Sequence, residues 1–261
     1  MTRLSRLEIQ VRTYDEAYRA GRALVTDQEY DVLRDQLKRK NPYSPVLAET
    51  GSGTHLQSLD NGSFLDWQKK IGKTTQLLVQ PKIDGCAVAA RYVNGRLVKA
   101  WTRSGKDITA AMRLVDDFPQ ELTESVDIEI RGELFGVGLS GANSQRLAAG
   151  HIRKKVPTVN KRLSFAAFQI FGFDVFEFED RVMWRLEELG FKNIAARLLR
   201  IGIDEAPTIK RMFSQWEDSL LWPQYPTDGL VVKVNDQKLQ AKLDKQAKTA
   251  PLWAFAIKNW S

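Results

Sequence analysis

The stretch QLLVQPKIDGCAVAARYVNGRLVKAWT, residues 76–102, decides the fold class. The period over Gln76–Ile83 and Cys86–Val93 is two, that of a strand and not of a helix. Asn94-Gly95 supplies the two positive-φ residues of a tight hairpin, and it leads directly into a third strand-like run, Arg96–Thr102. Working outward, Val126–Phe135, Leu163–Val175 and Gly229–Val234 read as further strands. Arg181–Leu189, bounded by Gly190, and then Asn193–Leu199 and Lys238–Ala247 read as helices. Strands and helices do not alternate strictly, so the expectation is an α+β fold of antiparallel sheets with flanking helices.

Upstream, Leu4, Leu7, Val11, Tyr14 and Tyr18 recur at three- and four-residue steps and predict a helix that Gly21 ends. Thr26-Asp27-Gln28-Glu29 reads as the capping box of a second helix, whose stripe is Tyr30, Leu33 and Leu37 and whose stop is Asn41-Pro42. Two such helices bury little surface alone, so they are expected to dock on the remainder of the chain. Residues 42–63, rich in Pro, Ser, Gly and Asn, read as a linker. The organisation expected is a helical subdomain over 1–45 and a larger domain over 46–261.

With 39 Lys+Arg against 32 Asp+Glu, the net charge of +7 suits a polyanionic partner without requiring one. A single cysteine, Cys86, excludes an intrachain disulfide and a multi-cysteine metal site, and two histidines, His55 and His151, leave little for histidine chemistry. No run approaches the roughly 18 apolar residues of a membrane span, and Met1–Arg6 is polar. The expectation is a cytoplasmic protein without a membrane partner.

The chemistry centres on Gln80-Pro81-Lys82-Ile83-Asp84-Gly85, at the end of a strand. A lysine amine attacks phosphorus only when neutral, and its ordinary pKa near ~10.4 calls for neighbouring cations or desolvation. Downstream, in order, stand Thr102-Arg103-Ser104-Gly105, Arg131-Gly132-Glu133-Leu134-Phe135, Asp228-Gly229-Leu230-Val231-Val232-Lys233 and Trp253–Lys258. Each sets a charged residue at the edge of an apolar, strand-like run. Val231, Val232 and Val234 are expected to pack while Lys233 points to the other face.

This ordered set resembles the nucleotidyltransferase motifs of polynucleotide ligases, and more narrowly the adenylation region of NAD-dependent bacterial DNA ligases. Tyr18 and the segment Asp27–Asp31, with Tyr30, are similar to the helical element with which that family binds the nicotinamide mononucleotide half of NAD. His55–Asn61 resembles the segment that lines the adenine pocket. The resemblance implies a ligase-type nucleotidyltransferase fold and these roles: Lys82 as the adenylated nucleophile, Asp84 and Glu133 at the ribose or the water shell of a Mg²⁺ ion, Arg103 at the ribose edge. It further implies Ser58, Leu59 and Gln80 at the adenine, and Lys233 and Lys258 at the AMP phosphate. Asn143–Arg153 resembles a DNA-contacting loop in which Arg146 and Arg153 are the basic contacts to nicked duplex DNA.

The chain departs from the family at Gln80, where a glutamate is usual, at Arg19, where histidine is usual, and at Gln145, where an arginine is expected. These changes lean toward the short bacterial ligase type or a split phage ligase. The chain ends three residues after Lys258, where the family continues into an OB-fold domain. The expectation is therefore either a cut fragment or one subunit of a ligase in two pieces, completed by a second polypeptide that carries the OB-fold. Trp253, Phe255 and Trp260 are candidates for that joint, with core packing the competing role for the first two. Two other readings stay open: an ATP- or GTP-using relative such as an RNA ligase or capping enzyme, and a non-catalytic ligase-like module that binds nucleic acid.

Overall fold

Ser5-Arg6-Leu7-Glu8 opens the first helix with a reciprocal cap: the Ser5 N–H and hydroxyl each donate to Glu8 Oε2 at 2.7 Å, and the Glu8 N–H returns to Ser5 Oγ at 3.3 Å. The computed structural model describes residues 5–19, 24–25, 27–41, 44, 46, 59–71, 76–172, 176–191, 199–201, 206–244 and 251–260. Chain contacts divide the protein into two units, Met1–Leu56 and Gln57–Ser261.

In the first unit, α1 (Arg6–Arg19) packs on α2 (Asp27–Lys40) through Val11, Leu37 and Val46, with Leu7, Tyr30 and Leu33 against them. Glu8 is buried and also accepts from Asn41 Nδ2 at 3.2 Å and Ser44 Oγ at 2.6 Å. Burial pushes its carboxyl up, but these donors outweigh burial and hold it below the ordinary carboxylate value. The cap expected at Thr26 and the stop at Gly21 lie outside the described residues.

The second unit contains β1 (Asp60–Asn61), α3 (Phe64–Ile71), β2 (Leu77–Ile83), β3 (Cys86–Val93), β4 (Arg96–Thr102), α4 (Thr109–Met112) and β5 (Ile128–Gly136). It continues with α5 (Gly141–Arg153), β6 (Leu163–Phe171), α6 (Glu179–Glu188), β7 (Leu199–Ile201), α7 (Ala206–Glu217), β8 (Thr227–Val234), α8 (Gln237–Asp244) and β9 (Ala254–Ile257). A five-stranded sheet runs β1-β9-β8-β2-β7 and a four-stranded sheet β4-β3-β5-β6. Every pairing is antiparallel except the short β1–β9 contact. The α+β expectation holds.

Alternation gives each sheet one apolar face. On the four-stranded sheet, Val88, Tyr92, Ile130, Leu134 and Phe165 meet Met183 and Leu186 of α6. On the five-stranded sheet, Leu77, Val79, Val232 and Phe255 meet Phe64 and Trp67 of α3 and Phe213 of α7. Trp67 stacks on Phe255 with centroids 5.5 Å apart and donates from Nε1 to the Leu252 carbonyl at 2.8 Å. The chain crosses between the sheets at Asp84-Gly85, after β2 and before β3.

Several elements differ from the sequence expectation. Within the expected linker, Asp60-Asn61 is a strand, because pairing to β9 uses backbone groups alone. Phe64–Ile71 and Ala206–Glu217 are helices that were not anticipated. Asn143–Arg153, expected as a loop, lies in α5, whose buried Ser144, Ala148 and His151 recur at helical spacing. Residues 193–198 of the expected helix Asn193–Leu199 lie outside the described residues, and Leu199 opens a strand. Val231 shares the Lys233 face rather than that of Val232 and Val234, a consequence of strict alternation along β8. Trp253 and Phe255 are core residues, the competing role weighed for them, and Trp260 is half-buried with its ring centroid 5.5 Å from that of Phe64 and 6.2 Å from that of Phe213.

The β2–β8 ladder is irregular where it matters. Pro81 pairs with Leu230 and Ile83 with Thr227, so two residues, Asp228 and Gly229, oppose the single residue Lys82. Pro81 has no N–H for the ladder, and a bulge beside it re-aims side chains. Gly229 sits at φ +143°, and a Cβ there would meet the Ile257 carbonyl oxygen at 2.2 Å. Gly229→Ala should therefore cost about 2–5 kcal/mol of stability from backbone strain plus overpacking, measured by denaturant unfolding. A variant as stable as the parent would refute this packing.

Candidate active site

Asp228 receives two cations. Lys82 Nζ lies 2.6 Å from its Oδ1, and Lys258 Nζ lies 2.7 Å from its Oδ2. The bulge explains the first contact, since it sets Asp228 opposite Lys82. The glycine explains the second: without a side chain at 229, the strand carrying Ile257 and Lys258 comes close enough for Lys258 to reach back. Burial pushes the Asp228 carboxyl up, but hydrogen bonds from Lys258 and Lys82 outweigh it and leave the group below its ordinary value. Asp228 in turn holds the Lys258 ammonium above its ordinary value.

Two further carboxylates flank this pair. The Asp84 N–H donates to the Pro226 carbonyl at 2.8 Å, just ahead of β8. Burial, then the charge of Asp228, raises the Asp84 carboxyl, against the pull of Lys82 and Lys258. Glu133, on β5, is pushed up to about 8 by burial, with Asp84 adding to the effect and Lys82 and Arg103 opposing it. Among the described residues, no group of three His, Cys, Asp or Glu side chains could by itself enclose a metal ion. Two mutually repelling carboxylates nonetheless suit a hydrated hard cation, which keeps its water and needs one or two protein oxygens. Asp84 and Glu133 therefore fit a Mg²⁺ ion held through its water shell.

The structure brings Lys82 and Lys258 into electrostatic range of Asp84, and Lys82, Asp84 and exposed Arg103 into range of Glu133. Lys233 stands apart. Its Nζ donates to Glu179 Oε1 at 2.8 Å and to the Phe168 carbonyl at 3.1 Å, and both ionic partners are buried. Gln237 and Gln240 complete the Glu179 carboxylate from α8 at 3.1 and 3.0 Å. Gln80 shares the Lys82 face of β2 by alternation, is buried, and leaves Nε2 without a hydrogen-bond partner. Leu59 is half-buried against the core of the five-stranded sheet, while Ser58 lies outside the described residues. Tyr30 packs on the α1–α2 core; the side chains of Tyr18, Asp27 and Asp31 lie outside the described residues. Arg146 and Arg153 are both exposed on α5, seven residues apart, with Arg146 bonded to Ala142 O at 3.2 Å and Asn143 Oδ1 at 2.8 Å. Cys86 packs beside the core with its thiol pushed up to about 11 by burial, which makes it a poor nucleophile.

Three residues were not singled out from the sequence. Asp228 was legible, since its Asp-Gly repeats that of Asp84-Gly85, but nothing in the order of residues shows that it joins two lysines. Glu179 and Ser144 carry no sequence signal. The Ser144 hydroxyl donates to the Asp84 carbonyl at 2.9 Å and accepts from the Gly136 N–H at 2.9 Å.

A carboxyl raised in the fold binds a proton on folding, so its stabilising contribution is present below the ordinary value of 4.5 and is lost as pH rises toward about 8. Glu133→Gln should accordingly melt about 2–6 °C above the parent at pH 9 and converge on it near pH 5. Thermal melts across that range decide it, and a gap that ignores pH would contradict the assignment.

Residues 50–137 and 140–260 match the family described as the NAD-dependent DNA ligase adenylation domain. A DNA ligase of Neorickettsia sennetsu is 30% identical over 271 residues, covering 90% of this chain and 40% of the relative. A DNA ligase of Gluconacetobacter diazotrophicus is 29% identical over 315 residues, covering 99% of this chain and 45% of the relative. The chain thus spans less than half the length of these relatives. Among solved structures, one named Pmar-Lig_Pre shares the fold at a TM-score of 0.52 and 12% identity, over 91% of this chain and 52% of that one. On the family match, which covers most of its length and contains the whole Lys82–Asp228–Lys258 cluster, the chain belongs to the NAD-dependent DNA ligase adenylation domain family.

Proposed function

We propose that this chain transfers AMP from NAD to Lys82 as the first step of sealing nicks in duplex DNA. The observation that carries the reading is an amine, a carboxylate that aims it and a second cation in one contact chain, Lys82–Asp228–Lys258, at 2.6 and 2.7 Å. The Lys82 ammonium gives one proton to water, and the free amine, aimed by Asp228, attacks the α-phosphorus. The bond from that phosphorus to the bridging oxygen breaks, nicotinamide mononucleotide leaves, and a second proton passes from the new P–N nitrogen to water. Lys258 and Arg103 offset charge on the phosphoryl oxygens, which is most of what such a displacement needs. Lys233, paired with Glu179 in this structure, would add a third cation from β8 by exchanging that partner for the phosphate, and Gln80, Ser58 and Leu59 would hold the adenine. Asp84 and Glu133 would hold a hydrated Mg²⁺, which when bound neutralises phosphate charge.

The donor is NAD rather than ATP on two grounds: the family to which the chain belongs and the paired helices α1 and α2, which carry Tyr18, Asp27, Tyr30 and Asp31. An aromatic ring and carboxylates suit a cationic nicotinamide and its ribose. Arg146 and Arg153, on the exposed side of α5, would track the duplex backbone without reading sequence. An OB-fold on a second polypeptide would grip the nick. The cytoplasm is the proposed compartment; no helix among the described residues is long and apolar enough to cross a membrane.

Incubation with NAD and Mg²⁺ should add one AMP to the intact mass. Lys82→Ala and Lys82→Arg should abolish the gain with the fold retained, the latter because a guanidinium stays protonated. Asp228→Asn should slow it by at least about 100-fold, the scale of a misaimed nucleophile. Equal labelling by ATP would overturn the choice of donor, and labelling of either Lys82 variant would overturn the nucleophile.

On a nicked duplex followed by gel, the chain alone should seal slowly, and an added OB-fold polypeptide should restore sealing. Arg146→Ala with Arg153→Ala should weaken duplex binding equally across sequences and lower the salt slope by about 2. An unchanged slope would remove α5 from the duplex interface.

A further inference from the structure

The Asp84-Gly85 peptide is where the chain leaves the sheet that carries Lys82 and enters the sheet that carries Glu133. Its hydrogen bonds reach both sides. The Asp84 N–H donates to the Pro226 carbonyl at 2.8 Å, beside β8. The Asp84 carbonyl accepts from Ser144 Oγ at 2.9 Å, and that oxygen accepts from the Gly136 N–H, the last residue of β5, also at 2.9 Å. Ser144 is fully buried, at 0% exposure.

The chemistry of this link is specific. A carbonyl and an N–H can be joined through one side-chain atom only if that atom both donates and accepts, which a hydroxyl does. Serine within a helix commonly spends its hydroxyl on the carbonyl four residues back. Here the Ser140 carbonyl is taken by the Ser144 N–H at 2.8 Å, and the hydroxyl reaches across to Asp84 instead. The Asp84 side chain leans on the same helix: a Cβ added to Gly141 would lie 2.7 Å from its Oδ2. Both the backbone and the carboxylate of Asp84 are thus set against the first turns of α5.

We infer that Ser144 is a positioning residue: its buried hydroxyl fixes the Asp84 peptide at the crossing between the sheets and so sets where Lys82 and Asp84 stand relative to Glu133. Without the hydroxyl, the Asp84 carbonyl and the Gly136 N–H lose their shared partner, and the crossing is left with the Asp84 N–H bond to Pro226 and the Gly85 N–H bond to Glu133. The proposal rests in its kinetic part on the reading that Lys82 takes AMP from NAD; its structural part does not.

Ser144→Ala and Ser144→Thr test it, each with a melting temperature to verify folding. In Ser144→Ala the Asp84 amide should exchange with solvent at least about tenfold faster, with amides in the middle of the β3–β5 ladder unchanged. The rate of AMP transfer at saturating NAD should fall about tenfold while the KM for NAD stays within about twofold, the pattern of a lost arrangement and not of lost binding. Ser144→Thr, which keeps the hydroxyl, should recover the rate to within about threefold. A residue that serves stability alone would lower the melting temperature of Ser144→Ala and leave both the rate and the Asp84 exchange at parental values; that result would overturn the inference. A parent chain that takes no AMP from NAD would instead sink the functional reading, and the Asp84 exchange would still decide the role of Ser144.

Discussion

The rest of the site depends on one carboxylate shared by two lysines. Asp228 is bonded to Lys82 and Lys258 at once, and each bond needs a separate irregularity in the sheet. The β2–β8 bulge turns Asp228 toward Lys82, and the bare backbone at Gly229 lets the end of β9 approach. A regular ladder would have set one residue of β8 opposite Lys82 and sent Asp228 elsewhere by alternation. Glycine is what makes this possible: the residue at positive φ, open to glycine without strain, sits next to the carboxylate that holds the two amines.

Electrostatics then sort the remaining charges. Lys82 and Lys258 act on Asp84, and Lys82 and Arg103 on Glu133, yet burial still leaves both of those carboxyls raised. A site in that condition favours either protons or a hydrated cation between its carboxylates, and a polyanion over its lysines. Lys233 is treated differently by the fold. It is held between Glu179 and the Phe168 carbonyl, a buried pair whose remaining acceptor capacity is filled by Gln237 and Gln240. Leaving either member without its partner would strand a buried charge, so this pair ties β8 to β6 and α6 more firmly than a surface ion pair could.

The strands on either side of Lys82 were readable because a half-buried strand repeats every two residues and Asn94-Gly95 admits few other conformations. Cys86–Val93 and Arg96–Thr102 have the bounds their pattern implied. The elements that were misread are those whose signal is weak or ambiguous. Phe64, Trp67 and Ile71 do repeat at helical spacing, but a run of eight residues beside a Gly- and Ser-rich segment offers few turns from which to recognise it. Asp60-Asn61 has no strand pattern at all, because its pairing to β9 rests on backbone groups that every residue carries. The cap at Ser5 and Glu8 was present in the sequence as plainly as the one expected at Thr26.

By itself the sequence determined the fold class, the family resemblance and the order of charged segments, because side-chain periodicity and motif spacing are local properties of the chain. What only the tertiary structure decided is which charges meet. Asp228 is 146 residues from Lys82, Ser144 is 60 from Asp84, and Glu179 is 54 from Lys233. Contacts over such separations depend on strand order, on one bulge and on the point where the chain crosses between sheets. None of these leaves a periodic trace, since each is set by the free energy of packing two sheets together and not by the preference of any single residue.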